Sequence, residues 1–221
     1  MTTTQPRPGA PRHRRPNHYS RDEFFGFVPA EGAVFDWNDR RNLLVSEDFI
    51  VALQRGLEQE AGPASTVLMY ELGRRWGTSD FDHFGGWFAR EFDTTVEEAP
   101  LKLMLETWWW PFAAQGWGKW ELEDPERGYL VVNLFDSAVA KTLGNVGKPV
   151  CHLYAGLFAG FFSQVFKELL SGVEIQCYGM GESYCKFMVG KQDRTDAVEF
   201  WLSNGATAKE ITRRLEQGET P

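Results

Sequence analysis

The chain has 221 residues, and its 23 basic and 31 acidic side chains leave a net charge of −8, which argues against a domain-wide nucleic-acid surface because phosphate binding rests on clustered positive charge. Aromatic residues make up 14%, with nine Trp and seventeen Phe, while cysteines number three. So odd and sparse a count does not suit a secreted disulfide framework, and with no apolar run long enough to span a bilayer or serve as a signal core, a cytoplasmic setting without a membrane span is expected.

Residues 1–21 carry Pro6, Pro8, Pro11 and Pro16 and five Arg with no acid, a composition that predicts a disordered basic tail ahead of a domain over 22–192. Ser46-Glu47-Asp48 opens a helix that Gly62-Pro63 closes. A second helix is expected from Ala64 to Trp76, and a short third from an N-capping Asp80 to Phe92. Thr95 with Glu98 reads as a capping box for a fourth, carrying Leu101, Leu105, Trp108 and Trp109. Two strands, Trp117 to Leu122 and Gly128 to Phe135, turn at Asp124-Pro125 as a hairpin, and Asp136-Ser137 caps a short helix. Pro149 to Leu170 reads as a buried helix with Gly156 and Gly160 left for close packing. A second hairpin, Val173–Tyr178 and Ser183–Val189, follows around Gly179-Met180-Gly181. Residues 193–221 are expected as a helical extension, its last helix opened by a Thr207–Glu210 capping box. Strands arriving as hairpins point to an α+β fold, with helices packed on an antiparallel sheet.

The three thiols are Cys151, Cys177 and Cys185, and hairpin closure brings the last two together. A tetrahedral zinc site needs a fourth ligand, for which His152 and Glu174 are both near; three buried free cysteines are the plain alternative. A spacing of three along a regular strand puts Glu174 and Cys177 on opposite faces, so the strand must bend, and Ser171-Gly172 offers a place. No nucleophile elbow, dinucleotide fingerprint or phosphate-binding loop occurs, so an enzyme is not the expected reading. Gly205 to Leu215 resembles the first half of a helix-turn-helix, but no recognition helix follows, so no DNA-binding module is expected. Among Trp108-Trp109-Trp110 at least one ring should face a partner or a cavity mouth, since three consecutive side chains cannot share one core.

Pro149-Val-Cys151, the glycine-bearing apolar helix and Glu174-Ile-Gln-Cys177-Tyr-Gly-Met-Gly-Glu-Ser-Tyr-Cys185-Lys-Phe together resemble the 4-vinyl-reductase domain, most sharply over 128–190. That family takes its name from a bacteriochlorophyll-synthesis protein. It includes sensory modules of phenol- and xylene-responsive activators and proteins labelled hydrocarbon-binding, and its fold is similar to that of a vesicle-tethering (TRAPP) subunit. The resemblance implies Cys151, Glu174, Cys177 and Cys185 as ligands of a structural zinc, in place of His152. It also implies a stand-alone binding protein for an apolar, aromatic or tetrapyrrole-like molecule, pairing as a homodimer. The pocket would lie around Trp108, Phe112, Trp120, Leu134, Phe158, Phe162 and Tyr178. Phenol sensors resemble one another in a Trp just before an Asp-Ser dipeptide; here the turn reads Asn133-Leu134-Phe135-Asp136-Ser137, so phenol is not the expected ligand. A 4-vinyl reductase or its accessory subunit, and a protein-interaction scaffold, are the alternatives.

Overall fold

The computed structural model describes residues 24–123 and 128–219; the tail expected over 1–21 and the turn at Asp124-Pro125 lie outside them. The described chain starts with an antiparallel meander of β1 (Phe25–Val28), β2 (Ala33–Asp36) and β3 (Arg41–Asn42). No strand is expected there from sequence, because elements of four, four and two residues carry too little alternation to register. The turn after β2 is held by Asp36, whose Oδ1 accepts the backbone N–H of Asn38 at 2.9 Å and of Arg40 at 3.1 Å.

Helix α1 (Glu47–Ala61) forms as expected, but the next two expected helices are one. Helix α2 runs unbroken from Ala64 to Phe92, 29 residues, through Gly77 and Asp80. Gly77 is there for contact, not for a break: a Cβ at that position would lie 2.1 Å from the Leu157 carbonyl oxygen of α5 (His152–Phe166). Asp80 is accordingly not a cap. It is buried inside the helix, takes the Trp108 Nε1–H at 2.8 Å and pairs with Arg40. The capping box expected at Thr95 is also corrected. Thr95 begins an isolated turn, and α3 (Leu101–Ala114) starts after Pro100, which disfavours helical backbone at Ala99.

Strands β4 (Lys119–Glu123), β5 (Leu130–Phe135), β6 (Ser171–Gln176) and β7 (Cys185–Gly190) form a second antiparallel sheet in the order β4-β5-β7-β6. Helix α4 (Ala138–Leu143) leaves β5 from a Ser137 cap, its Oγ accepting the Ala140 N–H at 3.2 Å. Both faces of the sheet are covered. Leu130, Val132, Leu134, Phe187 and Val189 join the main core with α2, α3 and α5, whereas Tyr129, Val131, Val173, Ile175 and Met188 join a second core. That second core is closed by Val198 and Trp201 of α6 (Gln192–Ser203) and by Ile211 and Leu215 of α7 (Ala208–Gln217). The Thr207–Glu210 capping box forms with both its bonds. The fold is α+β, built as the alternation along each strand dictates.

Candidate metal centre

Four elements deliver one ligand each. Cys151 is the N-cap of α5, Glu174 lies within β6, Cys177 starts a single 3-10 turn (Tyr178–Met180), and Cys185 opens β7. The bend that lets Glu174 and Cys177 share a face is not at Ser171-Gly172, where the ladder is regular. It falls two residues later: Glu174 faces Phe187 and Gln176 already faces Lys186, leaving Ile175 as an extra residue in β6. That bulge resets the strand's phase and turns Cys177 to the side of Glu174. The loop before α5 is tied to the same turn, since the Gly179 carbonyl accepts the N–H of Val146 at 2.9 Å and of Gly147 at 2.7 Å.

The four ligand atoms lie within 4.8 Å of one another, and all four residues are buried. Cys185 Sγ is 3.7 Å from Cys151 Sγ and 3.8 Å from Cys177 Sγ. A disulfide would need about 2.05 Å. Metal–sulfur bonds of about 2.3 Å arranged as a tetrahedron give edges of about 3.8 Å, so the sulfurs already hold the spacing of a coordinated set. Glu174 Oε2 accepts the backbone N–H of Val150 at 3.1 Å and of Cys151 at 2.8 Å, while its Oε1 is buried with no hydrogen-bond partner. An orphaned carboxylate oxygen is costly in a dry interior, and a cation among the sulfurs would satisfy it.

The electrostatics agree. Burial pushes the Cys151 thiol and the Glu174 carboxyl well above their ordinary values, while the Cys151 and Cys185 thiols pull Cys177 down to about 2. The pocket thus favours one thiolate and resists further negative charge, a balance that a divalent cation would reverse. His152, the other candidate ligand, does not join the cluster; burial lowers its pKa. Sequence reasoning misses two supporting groups. Gly179 donates its N–H to Cys177 Sγ at 3.3 Å, and Ser137 Oγ lies 3.5 Å from Cys151 Sγ. Ser137 is recognisable only as a helix cap, and a backbone N–H carries no residue signature. The cluster could hold a metal ion.

The residues expected around a pocket occupy two places. Trp108, Phe112, Trp120, Leu134, Phe158 and Phe162 are all buried in the main core, with Trp120 at its centre: its ring lies 4.6 Å from Phe112, 5.0 Å from Phe158 and 5.5 Å from Trp108. Tyr178 stands apart, only half-buried, its hydroxyl accepting the Asp136 N–H at 3.2 Å. The Trp triplet divides its rings. Trp108 stacks on Phe161 at 3.5 Å, Trp109 turns to Trp120, and Trp110 packs on Phe24.

Comparison with known proteins agrees with this geometry. The 4-vinyl-reductase domain family matches residues 130–191, the stretch that contains all four ligands. An uncharacterized protein of Methanocaldococcus jannaschii, MJ1642, is 32% identical over 90 residues, 39% of this chain and 56% of that one. A second from the same organism, MJ0150, is 32% identical over 74 residues, 34% of this chain and 43% of its own length. The chain thus spans about half the length of these curated relatives. Among solved structures, the phenol-responsive sensory domain of the transcription activator PoxR, with phenol, superposes with a TM-score of 0.63 at 19% identity, covering 82% of this chain and 92% of that one. That likeness is one of fold. With the family match falling on β5 to β7 and on the four-ligand cluster between them, the chain carries a domain of the 4-vinyl-reductase family at residues 130–191.

Proposed function

We propose that this protein is a zinc-clasped binding module for a small apolar or aromatic molecule. The convergence of Cys151, Glu174, Cys177 and Cys185 carries the metal half of this reading. Three thiolates suit zinc, and four protein ligands leave no open position for an activated water, so the ion would tie α5 to β6 and β7 and would not act on a substrate. The chain's own residues do the rest. The N–H groups of Val150 and Cys151 orient the carboxylate, and that of Gly179 steadies a sulfur. The binding half is supported by the family match and by a fold shared with the PoxR sensory domain, whose described ligand is phenol. Among the described residues no helix is long and apolar enough to cross a membrane.

Native mass spectrometry of protein purified from its own host, before and after mild denaturation, tests the binding half. The expected result is a retained or readily exchanged small molecule whose release changes Trp fluorescence. Protein that carries no small molecule and takes up none from a panel of monocyclic and polycyclic aromatics would contradict it.

A further inference from the structure

A cavity of about 380 Å³ opens between the N-terminal meander, α2 and α3, on the far side of Trp108 and Phe112 from the hairpin β4–β5. Its size suits a molecule of one or two rings, near the small end of ligand pockets. Trp37, Trp76, Phe84, Trp108 and Phe112 give it aromatic walls. One wall is held rigid: Trp108 is stacked on Phe161 at 3.5 Å with an interplanar angle of 10°, and its Nε1–H is fixed on buried Asp80. Such a wall costs a ligand little ordering entropy on binding.

The polar groups of the cavity are one-sided. Its two carboxylates have all four oxygens engaged by the protein. Asp80 accepts from Trp108 on Oδ2 and from Arg40 on Oδ1, and Asp36 accepts the Asn38 and Arg40 N–H groups on Oδ1 and Asn42 Nδ2, at 3.1 Å, on Oδ2. The lining also includes two guanidinium groups, of Arg40 and Arg41, and the amides of Asn38 and Gln115. A guanidinium has five donors in a planar fork, and only Nη1 of Arg40 meets Asp80. Arg40 is a third exposed, and the hydrogen-bonded turn after β2 sets its direction. Spent acceptors, surplus donors and flat apolar walls describe a receptor for a flat anion.

We propose that this cavity binds an aromatic carboxylate of one or two rings, the ring lying among Trp37, Trp76 and Trp108 and the carboxylate meeting Arg40. The proposal rests on the small-molecule reading above and gives it a ligand class and a place.

Isothermal titration with benzoate, toluene and benzylammonium tests it on zinc-loaded full-length protein and on Arg40→Gln, Arg40→Lys and Gln115→Trp. Circular dichroism melts confirm that each variant folds. Benzoate should bind the unaltered protein in preference to toluene and benzylammonium. Arg40→Gln should weaken benzoate about tenfold or more, as the loss of a charge-assisted pair does, and leave toluene nearly unchanged. Arg40→Lys should lie between, and Gln115→Trp, which fills the mouth, should weaken both. Should Arg40→Gln fail to fold with Asp80 left unpaired, Arg40→Lys and Gln115→Trp decide. Aromatic binding that ignores both positions, or that favours toluene or benzylammonium over benzoate, overturns the cavity proposal and leaves the small-molecule reading standing. Absence of any aromatic binding, in calorimetry and in native mass spectrometry alike, overturns both.

Discussion

Cys185→Ser is expected to empty the metal site and to destabilise the protein by several kcal/mol, on the order of half or more of a typical domain's stability. Cys185 Sγ stands between the other two sulfurs, at 3.7 and 3.8 Å, so its loss opens the set from the middle. Structural zinc binding is folding free energy, because the unfolded chain offers no preformed site. The substitution would also leave the Glu174 carboxylate, already carrying an unpaired Oε1, without its cation in a dry interior. Chemical denaturation and metal analysis, run together, check the outcome. If the three cysteines were only packing residues, the same change would bury one extra hydroxyl at about 1–3 kcal/mol and metal content would not move.

Gly156→Ala is expected to cost about 3 kcal/mol or more, the upper end of overpacking, and to lower Tm by roughly 10 °C. Helices α2 and α5 cross with their backbones in contact. A Cβ at Gly156 would sit 1.9 Å from the Tyr70 carbonyl oxygen, and one at Gly73 would sit 1.9 Å from that of Leu153. Backbone cannot step aside as a side-chain end can, so the helices must separate. Separation would loosen Phe158, Phe161 and Phe162 from the main core and shift Cys151 at the head of α5. Gly56→Ala is the control. Gly56 lies in the exposed face of α1 with nothing within 4 Å of a built Cβ, and there alanine should stabilise by up to about 1 kcal/mol. Melting curves of the two variants should therefore move in opposite directions.

Much of this is legible in the sequence where the signal is local. The caps at Ser137 and Thr207, the hairpin of β6 and β7 and the buried character of α5 all follow from residues within a few positions of one another. The ligand set is legible because Cys and Glu are chemically distinctive, yet the device that assembles it is not. The bulge at Ile175 has no side-chain signature, and a regular strand would have pointed Glu174 and Cys177 apart. Helix α2 misleads for a related reason. Gly77 and Asp80 carry the marks of a break and a cap, but one serves contact with α5 and the other serves Trp108 and Arg40, and those partners lie far along the chain. Pro100 overrides the Thr95 box in the same way, by displacing the helix start.

Zinc-edge X-ray absorption on freshly purified, untreated protein tests the zinc clasp most directly. The expected spectrum corresponds to about one zinc per chain, with three sulfur neighbours at about 2.3 Å and one oxygen neighbour at about 2.0–2.2 Å. Stable, folded protein that contains no zinc and yields three free thiols to a titrating reagent on unfolding would contradict it, as would a zinc bound only by nitrogen and oxygen.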